Sequence, residues 1–108
     1  MPFHLVKVMK NVRCLIQTVD DIEKVIPFIE DQYSEHCEFL ENVDYDDFKK
    51  AVEESNKYES GLYIVEHPDC INVYRVSTKI YYGYLYNCAE REIKLIDRYE
   101  LVLDHNNN

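Results

Sequence analysis

The sequence predicts an α+β fold in which two helices pack on one face of a mostly antiparallel sheet. Apolar residues recur at three- and four-residue spacings between Ile22 and Tyr58, whereas from Leu62 onward β-branched and aromatic residues crowd together as in strands. Acidic capping signals at Asp20-Asp21 and Asp44 open the two helical stretches. A chain of 108 residues can bury one modest core but not two. Residues 1–104 are therefore read as a single domain and 105–108 as a disordered Asn-rich tail.

The opening segments, Phe3 to Met9 and Val12 to Val19, are rich in β-branched residues and read as one bent strand or a hairpin broken near Lys10-Asn11. Asp20-Asp21-Ile22-Glu23 then starts a helix, with Glu three residues after the first acid. Pro27 must kink that helix or fall in the first turn of a restarted one. Ile22, Val25, Ile26, Ile29, Tyr33, His36, Cys37 and Leu40 form its expected apolar stripe. In the second helix Asp44 is the cap, Phe48, Ala51, Val52 and Tyr58 repeat on one face, and Gly61 is the expected terminator. The sheet follows as Leu62 to Glu66, a turn at His67-Pro68-Asp69, then Ile71 to Val76 and Lys79 to Tyr86. A last strand is expected around Arg98 to Leu103. Residues 88–97 stay open between strand and a helix capped by Asn87 and Glu90.

Composition narrows the function class. The chain is 46% hydrophobic and 31% charged with two glycines, which excludes collagen-like, linker-like and disordered classes. Its net charge of -9 repels phosphate backbones and anionic lipid, so direct nucleic-acid binding is disfavoured and a partner protein with a basic surface is favoured. No secretion signal opens the sequence, and no window approaches the ~18 apolar residues of a membrane span. Four widely spaced cysteines without an export signal read as free thiols, and the expected location is cytoplasmic. Abundant Ile, Lys, Asn and Tyr point to AT-rich coding DNA, as in a virus, phage or low-GC microbe, where the location becomes the host cytoplasm.

Two stretches carry a family resemblance: Val12 through Ile29 (VRCLIQTVDDIEKVIPFI) and Lys79 through Tyr86 (KIYYGYLY). In order and pattern they resemble the N-terminal half of the GNAT acetyltransferases, over roughly residues 12–86. That family's fold runs strand, two helices, then a strand meander before a glycine-containing loop that meets the pyrophosphate of acetyl-CoA at a helix start. Here the corresponding stretch is Asn87-Cys88-Ala89-Glu90-Arg91-Glu92, which lacks glycine and carries two carboxylates. The resemblance thus implies a truncated relative without the cofactor loop, and no catalytic residue and no cofactor are assigned from it.

No nucleophile motif, calcium loop or phosphate-cradling loop is present. His67 and Cys70 on one turn, with His36-Cys37, could bind zinc only if helix and turn met in space, and buried thiols with ordinary histidines explain them better. No metal is assigned. The strongest anomaly is the count of ten tyrosines, of which Tyr74, Tyr81, Tyr82, Tyr84, Tyr86 and Tyr99 gather in the expected sheet. Tyrosine supplies contact area at low entropic cost, so Tyr82, Tyr84 and Tyr86, with Asp46, Asp47, Glu53 and Glu54 on the second helix, are the candidate partner-binding residues. The leading expectation is a non-enzymatic, acidic protein-binding module, such as a viral accessory protein or immunity-type inhibitor. A degenerate acetyltransferase or CoA-binding remnant and a DNA mimic are the alternatives. Whether a sheet edge pairs two copies as a homodimer stays open.

Overall fold

A computed structural model describes residues 2–103 other than 56, 84 and 86, and the backbone alone of residue 87. The expected Asn-rich tail and the calls on Tyr84 and Tyr86 lie outside the described residues.

The chain opens with a hairpin, β1 (Phe3–Met9) and β2 (Val12–Val19), turned at Asn11 with φ 64°. Asn tolerates this left-handed conformation better than most residues, which resolves the expected break in favour of two strands. Asp21 caps a single 3-10 turn, Ile22–Lys24, by accepting from the Glu23 amide, and α1 (Val25–Glu30) follows with Pro27 in its first turn. Next come β3 (Cys37–Leu40), α2 (Tyr45–Glu54), β4 (Gly61–Glu66), β5 (Ile71–Tyr82) and β6 (Asn87–Leu103). The six strands form one sheet in the order β2-β1-β6-β5-β4-β3, antiparallel except for β3 with β4. That one parallel pair is joined through α2, because parallel neighbours need a long crossover.

Several expectations are corrected. The first helical stripe stops at Glu30, and Cys37 to Leu40, expected on that helix, form an edge strand instead. Tertiary bonds hold the intervening loop away from helical geometry: the Tyr33 hydroxyl donates to Asp97, and Glu35 accepts from Arg75 at 2.6 Å. Asp44 caps α2 as expected, but the helix ends at Ser55, and Gly61 instead opens β4 at φ 154°, a backbone conformation that residues with side chains rarely adopt. Ile71–Val76 and Lys79 onward are one continuous strand, and the segment left open, residues 88–97, is the middle of β6.

The two helices also cover opposite faces of the sheet, not one. Leu62 and Ile64 of β4 pack with Val25 and Ile29 of α1, together with Leu5, Val73 and Tyr99. Tyr63 and Val65, the alternate residues, pack with Phe48 and Val52 of α2 and with Tyr74 and Val76. Successive strand side chains point to opposite faces, so this alternation places one helix over each. A sheet buried on both sides reads as a continuous apolar run, which is what Leu62-Tyr63-Ile64-Val65 is.

Candidate functional site

The sheet does not end where the core ends. β4 pairs with β5 only as far as Val76, and β1 pairs with β6 only from Arg98 onward. Beyond those limits β5 and β6 continue together, Ser77 with Glu92 through Tyr82 with Asn87, as a two-stranded ribbon with both edges free. Six residue pairs at the antiparallel rise extend about 17–20 Å. The molecule accordingly measures 68 × 25 × 23 Å, with a radius of gyration of 16.6 Å. A compact chain of this length would have about 13 Å.

The ribbon has two unlike faces. Thr78, Ile80, Tyr82, Ala89 and Arg91 share the side that α2 covers further down, as fixed by alternation from Val76 and by the pairing of Ile80 with Ala89. The opposite side carries Lys79, Tyr81, Glu90 and Glu92, with Lys79 3.7 Å from Glu92 and over the Tyr81 ring. Ile80 is 53% exposed, Tyr82 79% and Leu85, in the tip, 85%. At the ribbon's base the Arg91 guanidinium donates to the Tyr58 carbonyl, which ties the arm to the segment after α2.

The tyrosines expected as one group therefore divide. Tyr74 and Tyr99 are core residues, one on each face, whereas Tyr81 and Tyr82 are displayed on the arm. Asp46, Asp47, Glu53 and Glu54 are all exposed on α2, which lies over the body and not over the ribbon's outer half. Glu53 does reach the ribbon's base, where it shares a surface cavity with Glu90, Arg91 and Glu92. The last turn of α2 has no basic residue, so Glu53 and Glu54 add to the negative end of the helix dipole instead of balancing it. The structure thus separates the acids from the exposed tyrosine that sequence reasoning grouped with them.

A second concave feature, of about 460 Å³, lies between the start of α2 and the β4–β5 turn; its lining includes Tyr45, His67, Cys70, Asn72, Tyr74, Leu95 and Arg98. His67 and Asn72 are only 8% and 7% exposed, so their polar atoms must be paired. The Val43 carbonyl, 2.5 Å from His67 Nδ1, can only accept, which places a proton on Nδ1. A neutral ring then accepts at Nε2 from the Tyr74 hydroxyl at 2.7 Å, and that oxygen in turn accepts from Asn72 Nδ2 at 2.7 Å. Asn72 Oδ1 is left for the Cys70 thiol at 3.6 Å.

This chain of bonds satisfies groups; it does not activate one. Burial pushes both the Cys70 thiol and the Tyr74 phenol above their ordinary values, so neither is a nucleophile near neutral pH. With both ring nitrogens engaged, His67 is committed to closing the β4–β5 turn, where its amide also donates to the Cys70 carbonyl at 2.8 Å. His36 is on the surface, away from that turn's network, beside Glu30 at 3.7 Å. Among the described residues no three His, Cys, Asp or Glu side chains are grouped to hold a metal. Asn72 was missed by sequence reasoning, although an amide between Ile71 and Val73 in an apolar strand is itself a signal of a buried polar pair.

Replacing Tyr74 with Phe tests this chain of bonds. The hydroxyl is removed while the ring stays against Phe48, so His67 Nε2 and Asn72 Nδ2 are left unpaired in a buried site. At about 1–3 kcal/mol for each of the two orphaned groups, the variant should lose roughly 2–6 kcal/mol in urea unfolding. A loss below about 0.5 kcal/mol would mean that water reaches and satisfies both groups.

The stretch at the position of the acetyl-CoA loop, Asn87 to Glu92, which lacks that loop's glycine, belongs to strand β6 in register with Tyr82 to Ser77, so no helix begins there. Fold and surface together define an α+β protein with a helix on each face of a six-stranded sheet and a projecting two-stranded arm. No family model, curated protein or solved structure matches the chain. Among the described residues no helix is long and apolar enough to cross a membrane.

Proposed function

We propose that this chain is a non-enzymatic protein-binding module of the accessory or inhibitor type, whose acidic surface selects a partner with a basic face. The observation that carries the reading is the arm. A two-stranded ribbon without a third strand is marginally stable in water, and this one also holds Ile80, Tyr82 and Leu85 out in solvent. These side chains contribute nothing to the core; contact with another protein would bury them and stabilise the ribbon. Aromatic and aliphatic anchors of this kind supply most of the binding energy at interfaces.

Charge supplies the direction of the partner. Between Lys24 and Lys49 the sequence holds eight acids and no Lys or Arg, and this stretch includes edge strand β3 and the first turn of α2. The resulting field accelerates encounter with a cationic surface and weakens as salt screens it.

The experiment is affinity capture with the full chain, followed by association kinetics with the protein recovered. A basic protein should be held, with an on-rate that falls as salt rises. Reversing charge by Glu53→Lys with Glu54→Lys should slow association by about threefold to tenfold at low salt, with little change in dissociation. An on-rate indifferent both to salt and to the charge reversal would sink the steering role.

A further inference from the structure

We infer that the α2-side face of the ribbon, Ile80, Tyr82 and Ala89, is the contact between two copies of this chain. The inference rests on the reading of the arm as a protein-binding element and names what the arm holds. Charge decides between occupants. The arm, Ser77 through Glu92, contains two bases (Lys79 and Arg91) and two acids (Glu90 and Glu92), so it is neutral in a chain whose total is -9. A basic partner is therefore steered first toward the acidic stretch between Lys24 and Lys49, whereas the neutral arm neither attracts it nor repels a second copy.

For two copies of this acidic protein the arm is where approach costs least. It projects away from the acidic body, and the segment from Ile80 to Cys88 contains no charged residue at all. The geometry is also self-complementary: beyond Thr78 and Arg91 the α2 side of the ribbon presents Ile80, Tyr82 and Ala89 without a charge, and the other side carries the Lys79–Glu92 pair. Two identical apolar faces meet across a two-fold axis without a second kind of surface, as an isologous dimer requires. Packing one ribbon on another buries Ile80 and Tyr82 of both copies, and each two-stranded arm gains the covering layer that it lacks alone.

Sedimentation of the full chain over a wide concentration range, at low and high salt, tests this. The expected species has twice the 13.0 kDa chain mass, and it should tighten as salt rises, because screening relieves the repulsion of two acidic bodies. That is the opposite salt dependence to binding of a basic protein, so the two contacts can be told apart. Ile80→Glu with Tyr82→Glu, both on the surface, should weaken the dimer by about a hundredfold while the far-ultraviolet spectrum of the body is kept. Independently, the Ser77 to Tyr82 amides of the native chain should gain exchange protection with concentration. A monomer at every concentration and salt, or a dimer that survives the double substitution, overturns the inference. If the chain is monomeric yet the double variant no longer captures its basic partner, self-association falls and the protein-binding reading of the arm stands. If neither contact needs Ile80 and Tyr82, both fall.

Discussion

Raising the pH above about 10 should unfold this protein, and the transition should be carried by tyrosines. Burial pushes the phenols of Tyr63, Tyr74 and Tyr99 above the ordinary value, and it does the same to Tyr33, whose hydroxyl also donates to Asp97 at 2.5 Å. The Asp97 carboxylate accepts that hydrogen bond and opposes a second negative charge beside it, while Lys7 holds its other oxygen at 3.3 Å. Because the folded-state values are raised, the folded chain keeps protons that the unfolded chain has already lost. Stability is then complete below pH ~10, the unfolded value, and is lost as pH rises from there toward the folded values.

Each tyrosine contributes a slope of up to about 1.4 kcal/mol per pH unit, so the three most buried ones together remove about 4 kcal/mol per unit. Against a total stability of about 5–15 kcal/mol, about one to four units of pH should suffice. Urea midpoints measured from pH 7 to 11, with tyrosinate absorbance followed in parallel, check this. Midpoints that stay level while the absorbance rises gradually would show that these phenols ionise in the folded state. Tyr33→Phe should make the alkaline transition shallower, since one of the linked protons is gone.

The second large effect is expected at Phe48. Its ring is fully buried, with centroids 5.1 Å from Tyr74, 5.7 Å from Tyr58 and 6.1 Å from Tyr63, and it is the main anchor of α2 on its face of the sheet. Phe48→Ala removes the burial and the offset ring contacts together and leaves a cavity between helix and sheet. A loss of about 3–5 kcal/mol is expected. An exposed neighbour on the same helix, Lys49, should change stability by less than about 0.5 kcal/mol on replacement with Ala. Urea unfolding compares the two. If Phe48→Ala cost no more than about 1 kcal/mol, α2 would be docked by something other than this aromatic cluster.

Much of the local structure was legible because it depends on near neighbours. The Asp44 cap, the helical start at Asp20-Asp21 (where the cap falls on Asp21, one residue after the capping-box position), Pro27 in a first turn, the break at Asn11 and the turn after Glu66 each follow from what a few consecutive side chains allow. The acids of α2 were also placed on its exposed side, since Phe48 and Val52 fix which side is buried. Cys37 to Leu40 were misread because Cys37 and Leu40 suit a helical stripe as well as an edge strand. Pairing with Leu62 to Val65, more than twenty residues away, settled the matter.

The sequence by itself determined the α+β class, the capped helix α2, a helical start after Asp20-Asp21, the density of strands after Leu62 and the acidic balance, because propensity, capping and charge are local or additive properties. Only the tertiary structure decided that the helices lie on opposite faces. It decided too that Tyr74 and Tyr99 are core while Tyr82 is displayed, and that β5 and β6 outrun their neighbours to form an arm. Those outcomes depend on register and on where β4 and β1 stop pairing. An alternating apolar strand looks the same to its own neighbours whether or not another strand or a helix lies beside it.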